Sequence, residues 1–308
     1  MDLLGLKYVN IVSWGGMGDA LLSTASFKAI KEKYPDKKIR VFYLKRHRDI
    51  FLNNPYIDSL VEASFKGAPM SWVLNYFGLI DIKSINYSFT KPSRNYDKSI
   101  ISVIGEMLDV ESKPEDLSLY LTEEEKQAGK DILREVMGKV IAIAPYTISS
   151  ENKLWVHSYW EELIEQMPDY TFIQLGVNQE PLVNGALDLR GLKLRESMAV
   201  MNQTDGFVGV DSFLAHVATA LDIPSVVLFG ATAVKVFGHA KNKNITLNEP
   251  CAPCYEFIAD SKCPYSRKCM TAIHPGMVKA AIEKKLNAEQ VSASKKITAQ
   301  KDIRLWHA

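Results

Sequence analysis

Short apolar runs that suit β-strands alternate along this chain with longer amphipathic runs that suit helices, and this alternation limits the possible folds most. A strand, a helix and a further strand in succession are typical of parallel sheets, because a parallel connection must cross over the sheet. The pattern runs twice, from a strand at 8–13 and again from a strand at 139–144. The sequence therefore predicts an α/β protein with two Rossmann-like, doubly wound domains that face a central cleft.

The individual elements are predicted from the local period and from turn residues. Strands are predicted at 8–13, 39–44, 57–61, 139–144, 171–175, 206–210 and 225–229. Helices are predicted at 19–33, 97–108, 122–137, 158–167, 195–203, 212–221 and 275–286, and loops with short helices at 62–96. We place the domain boundary at 138, which gives domains of 1–138 and 139–286 and a polar tail at 287–308.

Composition agrees with two ordinary globular domains. The 308 residues carry 37 Lys and Arg against 36 Asp and Glu, a net charge of +1, and the mean hydropathy is −0.08. A nearly neutral chain has no bulk field to attract nucleic acid, and no run approaches the ~18 apolar residues of a membrane span. The first residues lack the basic start of a signal peptide. We expect a cytoplasmic protein, at most peripheral at the inner face of the cytoplasmic membrane.

The first strand leads into a glycine turn, Gly15, Gly16 and Gly18, where a dinucleotide-binding protein would hold a pyrophosphate. The third glycine of that fingerprint is replaced by Leu21, and Asp19 places a carboxylate that would repel phosphate. The sequence therefore disfavours a dinucleotide here. Asp19 has two interpretations: it caps the helix, or it accepts a proton from an acceptor hydroxyl in the cleft.

The second series repeats this geometry at Gly209-Val210-Asp211-Ser212. Ser212 is a suitable N-cap for a helix whose first turn holds no carboxylate, so the N-terminus of that helix can hold a phosphate. His216 lies near the same place and is either an ordinary packed histidine or a ligand contact. The first of the two matching corners is thus predicted to be negative, and the second to suit an anion.

A set of short motifs extends over about residues 8–285. They are Gly16-Met17-Gly18-Asp19-Ala20-Leu21-Leu22, Lys31-Glu32-Lys33-Tyr34-Pro35, Lys153-Leu154-Trp155, Tyr159-Trp160-Glu161-Glu162-Leu163, Gly209-Val210-Asp211-Ser212 with His216, Leu228-Phe229-Gly230, and Cys251-Ala252-Pro253-Cys254 with Cys263-Pro264 and Cys269-Met270. In their order and spacing these motifs resemble glycosyltransferase family nine, the ADP-heptose:lipopolysaccharide heptosyltransferase-like enzymes.

This resemblance implies a GT-B fold, an acceptor site on the N-terminal domain, a nucleotide-sugar site on the C-terminal domain and inverting transfer without a catalytic metal. It implies that Asp19 is the general base, that Lys153 neutralises the donor phosphates and that Asp211 contacts the donor sugar. The other implied donor-binding residues are Thr147, Ser149, Ser150, Glu180 (for the ribose), Ser212, Phe213, Leu214 and His216. Gly16, Met17 and Gly18 are the implied backbone of the acceptor site.

The chain departs from the family pattern where donor groups would be recognised. Phe213 replaces a glycine in the second corner, and Ala231 and Ala233 replace a proline and an acid. These changes bear on the identity of the donor sugar, and they leave the class of reaction as the resemblance implies it.

A basic stretch, Lys45, Arg46, His47 and Arg48, follows the second strand at the predicted cleft edge. It is either a solvated helix start or a contact for an anionic acceptor, such as an acidic or phosphorylated glycan, which arginine binds in a bidentate manner.

All four cysteines fall within one short segment, as Cys251, Cys254, Cys263 and Cys269. Four thiols this close can surround one tetrahedral ion, so a structural zinc or iron is one interpretation. Reduced packed thiols and a disulfide are the others.

We therefore expect a glycosyltransferase that moves a sugar, heptose from ADP-heptose being the implied case, onto a hydroxyl of a lipopolysaccharide core-like acceptor. The alternatives are transfer of another nucleotide sugar to a protein or polysaccharide, and an inactive module that binds nucleotide or glycan. An epimerase is disfavoured, since Asp19 alone provides no second acid on the opposite face of the sugar.

Overall fold

The computed structural model describes residues 7–63, 82–85, 97–247, 249–254 and 262–288. The first four strands form a parallel sheet in the order β3-β2-β1-β4. These strands are β1 (Tyr8–Ser13), β2 (Lys38–Tyr43), β3 (Ser59–Glu62) and β4 (Ile82–Ile85). The helices of this half are α1 (Met17–Leu22), α2 (Phe27–Lys33), α3 (Arg48–Phe51), α4 (Ile100–Met107) and α5 (Glu123–Ile132).

The later strands form a second parallel sheet, in the order β10-β9-β8-β5-β6-β7. They are β5 (Lys139–Ala144), β6 (Tyr170–Gln174), β7 (Leu187–Asp188), β8 (Gly206–Val210), β9 (Ser225–Phe229) and β10 (Lys243–Thr246). The helices are α6 (His157–Glu165), α7 (Leu194–Met201), α8 (Phe213–Ala220), α9 (Val234–Phe237), α10 (Lys268–Thr271) and α11 at 275–288. The predicted α/β class with two parallel sheets is therefore confirmed.

The central strands of the second sheet show why it needs helices on both faces. Every residue of β8 and β9 is buried, which is the pattern of a parallel strand covered on both sides. Trp160 of α6 and Phe172 of β6 fill one face, together with Ile282 and Leu286 of α11. The last helix therefore packs on the second sheet, a choice that the sequence leaves open.

Three predicted elements differ from the structure. The helix predicted at 19–33 is divided by a 3₁₀ turn at Ser23–Ser26, where the Ser23 and Thr24 hydroxyls donate to the carbonyls of Ala20 and Leu21 at 2.6 and 2.7 Å. The helix predicted at 122–137 ends at Ile132. Strand β4 lies inside the region predicted as loops, and the rest of that region, 64–81 and 86–96, lies outside the described residues.

Helix α5 packs against α7, which joins the segment before the boundary predicted at 138 to the second sheet. The two helices approach so closely at Gly129 that a Cβ there would overlap the carbonyl of Ala199. Arg195 of α7 pairs with Glu125 of α5 and donates to the carbonyls of Asp49 at 3.0 Å and Tyr120 at 2.7 Å. One guanidinium thus ties α7 to three separate segments of the first half.

Because parallel strands point the same way, the corners after β1 and β8 lie at the carboxyl ends of their sheets. Helices α1 and α8 touch, and their buried residues belong to one continuous apolar cluster. The two corners therefore face each other. No helix in the described ranges is long and apolar enough to cross a bilayer.

Candidate functional site

Asp19 stands at the third position of α1 and folds back over the glycine turn. Its Oδ2 accepts a hydrogen bond from the Gly16 amide at 2.8 Å, so the carboxylate caps the helix that carries it. Gly15 has φ of +95°, and a Cβ there would lie 2.5 Å from this oxygen. The turn thus requires glycine at position 15. The helix-cap interpretation of Asp19 is confirmed, and its role as a base stays a prediction.

The basic stretch after β2 forms hydrogen bonds with this turn. Arg46 donates to the Gly15 carbonyl at 2.6 Å and through Nε to Nε2 of His47 at 3.2 Å. Since Nε2 of His47 accepts, its Nδ1 carries the proton and donates to the Ser13 hydroxyl at 3.2 Å. Burial, and next the charge of Arg46, lower the pKa of His47 to about 4 and keep this ring neutral. Ser13 and His47 hold the corner, a role that sequence motifs did not indicate.

The remaining two cations of this stretch, Lys45 and Arg48, are exposed at the edge of the corner. Arg48 lies 3.8 Å from the carboxylate of its neighbour Asp49, an exposed pair of little energetic weight. Arg46 therefore forms hydrogen bonds within the protein, whereas Lys45 and Arg48 face solvent. Met17 and Gly18 form the first turn of α1 at the same edge.

At the second corner, Lys153 and Asp211 form a buried ion pair. Lys153 Nζ lies 3.0 Å from Asp211 Oδ2, and the Thr232 hydroxyl donates to the same oxygen at 2.8 Å. Burial would raise the pKa of the Asp211 carboxyl, but the Lys153 ammonium and the Thr232 hydroxyl help to hold it below its usual value. Asp211 thus orients Lys153, and its implied contact with a donor sugar stays a prediction. Thr232 is a site residue that the sequence analysis missed.

Helix α8 begins beside this pair and presents its N-terminus to the cleft. Ser212 is its N-cap, and its buried hydroxyl oxygen has no hydrogen-bond partner in the described structure. No acid lies in the first turn, and Phe213 and Leu214 are half-buried there. A buried hydroxyl without a partner costs free energy, and a polar ligand at this N-terminus would satisfy it.

The first turn of α8 also carries His216, which is buried between the two corners. Its ring edge faces Gly18 of α1, where a Cβ would lie 3.4 Å from Cδ2 of the histidine. Nδ1 of His216 lies 2.8 Å from Nε2 of His239, and the two buried rings meet edge to face. Burial lowers the pKa of both rings, that of His239 to about 3. His239 is the second site residue that sequence reasoning did not find.

The loop after β5 brings hydroxyl groups to the same edge of the second sheet. The Thr147 and Ser149 hydroxyls lie 3.0 Å apart, and Ile148 between them is exposed. The Ser150 hydroxyl accepts from the Asn152 amide at 3.2 Å and caps the short helix that carries Lys153. Thr147 and Ser149 therefore stand where the sequence predicts them, whereas Ser150 positions the lysine.

Glu180 lies in the loop after β6, half-buried beneath Gly176. A Cβ at Gly176 would overlap its carboxylate, so the glycine allows the acid to fold against the backbone. Burial raises the pKa of Glu180, against the opposing effects of the Val177 amide and Arg190. Burial, and after it the charge of Glu180, raises the pKa of Tyr146. The ribose contact that the resemblance implies for Glu180 stays a prediction.

The cysteine segment lies behind the second corner. Cys254 donates its amide to Ala231 at 2.8 Å, and a Cβ at Gly230 would lie 2.8 Å from the Cys269 sulfur. Burial and the neighbouring thiols raise the pKa of Cys269 to about 11. All four cysteines are free thiols, so the disulfide alternative is wrong. Within the described ranges no three His, Cys, Asp or Glu side chains are arranged to hold a metal ion.

Comparisons with known proteins find similarity to heptosyltransferases in both sequence and structure. A family model described as glycosyltransferase family 9 (heptosyltransferase) matches residues 186–263. Lipopolysaccharide heptosyltransferase 1 of Pseudomonas aeruginosa is 27% identical over 187 residues, 51% of this chain and 52% of that protein. The alignment therefore spans about half the length of this curated relative.

Solved structures resemble nearly the whole chain. ADP-heptose lipopolysaccharide heptosyltransferase II of E. coli has a TM-score of 0.69 and 16% identity, covering 92% of this chain and 99% of that one. The iron-containing dodecameric glycosyltransferase TibC of enterotoxigenic E. coli has a TM-score of 0.71 and 17% identity, covering 91% and 76%.

The fold is thus the GT-B arrangement of two facing domains, found in a large class of glycosyltransferases, and the predicted fold is confirmed. By its motifs and its fold the chain resembles glycosyltransferase family 9, as the sequence predicts.

Proposed function

We propose that this chain is an inverting glycosyltransferase that moves a sugar from a nucleotide sugar to a hydroxyl of a lipopolysaccharide core-like glycan. The observation that carries the proposal is the contrast between the two facing corners. Asp19 stands at the first, and Lys153 with the N-terminus of α8 stands at the second. A base and an anion site across one cleft are what the displacement of a diphosphate by an alcohol requires.

In this reaction the acceptor oxygen bonds to the anomeric carbon while the bond from that carbon to the diphosphate breaks. The acceptor proton passes to the Asp19 carboxylate, and the electron pair of the broken bond leaves with the diphosphate. Lys153, the Ser212 hydroxyl and the first amides of α8 stabilise the charge that develops there. The loss of one such group typically costs about 3 kcal/mol, or roughly a hundredfold in rate.

ADP-heptose is the donor that we propose. Support comes from the relatives: one TibC structure is described as a complex with ADP-D-beta-D-heptose. Phe213 stands where donor groups would be recognised, so another nucleotide sugar is the alternative. Thermal shifts with a set of nucleotide sugars test this, since a ligand at about 100 times its Kd contributes about 2.7 kcal/mol. The largest shift is expected with ADP-heptose.

For the acceptor, we propose an anionic glycan that meets the exposed cations of the first corner. Lys45 and Arg48 face solvent beside the turn that carries Asp19, so a phosphate or carboxylate on the acceptor would lie close to the base. The acceptor is presented in the cytoplasm, at most from the inner face of the membrane. Substituting both cations with Ser is expected to raise the KM for the acceptor and to leave the KM for the donor unchanged.

Replacing the proposed base tests the mechanism directly. Asp19→Asn keeps an oxygen that can accept from the Gly16 amide, so the turn should persist while the proton acceptor is lost. We expect turnover to fall by at least a hundredfold, the range of general-base contributions. ADP affinity, measured by calorimetry, should stay within about twofold of the parent because the nucleotide lies at the other corner.

Asp36, an exposed acid beyond α2, provides the matched control. Asp36→Asn should be as active as the parent. Full activity in Asp19→Asn would end the proposed mechanism. Saturable nucleotide binding without diphosphate release in the parent would instead identify an inactive binding module.

A metal at the four cysteines is a separate proposal, supported by their spacing and by the iron-containing description of TibC. It requires the thiols to rearrange, since those of the described residues are not grouped around an ion. Four thiolates suit zinc or iron, and such an ion would be structural, since no ligand position remains open. Metal analysis of the purified protein is expected to give one ion per chain, and to lose it in Cys251→Ser with Cys269→Ser. A metal-free, fully folded protein would refute this.

A further inference from the structure

The pair of buried histidines joins the two corners in a way that neither motif indicates. His216 sits in the first turn of α8, and its Cδ2–Nε2 edge faces Gly18 of the opposite corner. Its other nitrogen, Nδ1, lies 2.8 Å from Nε2 of His239. Both side chains are almost fully buried, at 6% and 5% exposure. Water therefore competes little for this hydrogen bond.

A hydrogen bond between two neutral imidazoles contains one proton, so one ring donates and the other accepts. Which ring donates decides the state of the far nitrogen of His216. If His239 donates, Nε2 of His216 carries a proton and is itself a donor. If His216 donates from Nδ1, its Nε2 is an acceptor.

The groups around the pair favour the first of these states. Asp211 and, more weakly, Asp19 act on His216 as negative charges. A diphosphate bound at the N-terminus of α8 would add acceptor oxygens. The cations near the pair are Lys153, which Asp211 holds, and Lys241. A donor at Nε2 suits anionic surroundings, whereas an acceptor there would be repelled.

The backbone of His239 is fixed so that its ring can serve this role. Its carbonyl accepts from the Asn242 amide at 3.1 Å and from the Asn244 side chain at 3.0 Å. Asn244 belongs to β10, the edge strand of the second sheet. The position of the His239 ring therefore depends on β10 as well as on the contact with α8.

We propose that His239 is a positioning residue: it donates from Nε2 to Nδ1 of His216 and thereby fixes Nε2 of His216 as a hydrogen-bond donor that faces the gap between the two corners, where the proposed diphosphate would accept from it. The inference rests on the proposed function only for the identity of that ligand. The tautomer of His216 is a property of the protein alone, so it can be tested without turnover.

Two variants separate the hydrogen bond from the packing. His239→Gln places an amide donor near the position of Nε2, and His239→Leu fills a similar volume without a donor. Nitrogen-15 NMR of the imidazoles should show His216 as the Nε2–H tautomer in the parent and in His239→Gln. In His239→Leu the signal should shift to a mixture of tautomers. His274→Leu, at an exposed histidine, should leave it unchanged.

In transfer assays, His239→Leu is expected to lower kcat about tenfold, the effect of one neutral hydrogen bond. His239→Gln should recover most of that loss, with little change in the acceptor KM. An unchanged His216 tautomer in a folded His239→Leu protein would overturn the inference, as would failure of a folded His239→Gln to recover the tautomer. If the parent shows no transfer, the proposed function fails and the NMR result still decides the role of His239.

Discussion

Lys153 and Asp211 are the most deeply buried ion pair among the described residues, with side chains 11% and 4% exposed. Taking both charges out of water is costly, and the pair offsets that cost only while both partners and the Thr232 hydroxyl are present. The lysine is therefore held in one orientation before any ligand arrives. Such preorganisation is what an anion site needs, because little reorganisation remains at the moment of reaction.

This pair leads to a stability prediction at the residue scale. Lys153→Met leaves the Asp211 carboxylate buried and unpaired, which should lower the free energy of unfolding by about 3–5 kcal/mol. The double variant with Asp211→Asn removes the stranded charge and should regain much of that loss. Urea denaturation of the two variants and the parent measures both effects.

The result depends on the comparison between the two variants. Equal stability of the single and double variants would show that the lost energy comes from packing of the lysine stem. Donor binding should be weak in both, since neither retains the cation.

At the scale of elements, the corner between β1 and α1 depends on a histidine that stays neutral. The pKa of His47 is lowered from 6.5 to about 4 by burial and by Arg46. As the pH falls from 6.5 toward 4, the unfolded chain gains a proton on this residue before the folded protein does. The stability that His47 contributes is therefore present above pH 6.5, is lost across this window and changes no further below it.

His47→Leu removes this linkage and should flatten the dependence of unfolding free energy on pH between 6.5 and about 4. A residual slope is expected because burial also lowers the pKa values of His216 and His239. Urea unfolding across the window measures the slope, with His274→Leu as the control. Equal slopes in His47→Leu and the parent would contradict the assignment.

Sequence patterns predict an element well when its own residues determine it. Four strands coincide with the apolar runs that predict them: Tyr8–Ser13, Lys139–Ala144, Gly206–Val210 and Ser225–Phe229. The break at Ser23–Ser26 was not predictable from period alone, since it depends on hydroxyls that bond to the preceding turn.

The same distinction applies to the residues of the candidate site. Asp19 and Ser212 were found because caps at strand–helix corners leave a local signature. Thr232 and His239 contact residues that lie 21 and 23 positions away in the sequence, and these contacts depend on which strands are neighbours. Without an indication of which loops meet, the sequence offers no reason to choose them.

For the whole molecule, Arg195 joins the two halves. Its guanidinium contacts Glu125 and the carbonyls of Asp49 and Tyr120, and only 12% of its side chain is exposed. Several hydrogen bonds from one planar cation fix an orientation more strongly than a single contact would. This residue should therefore help to set how the two sheets are held relative to each other.

Arg195→Ala should lower the free energy of unfolding by about 2–3 kcal/mol, the range for hydrogen bonds to charged groups. Arg195→Lys should recover only part, because one ammonium cannot reach all three partners at once. Arg134→Ala, at a side chain 73% exposed, is the control. Urea unfolding gives the energies. A similar midpoint for Arg195→Ala and Arg134→Ala would refute this role.

The bare backbone at Gly129 has a further consequence for the molecule. Any side chain there would overlap the Ala199 carbonyl and push α5 away from α7. Since α7 is the helix that Arg195 anchors, even a methyl group should alter the distance between the corner that carries Asp19 and the N-terminus of α8. The separation of the two corners thus depends on the absence of a side chain at a buried contact between helices α5 and α7.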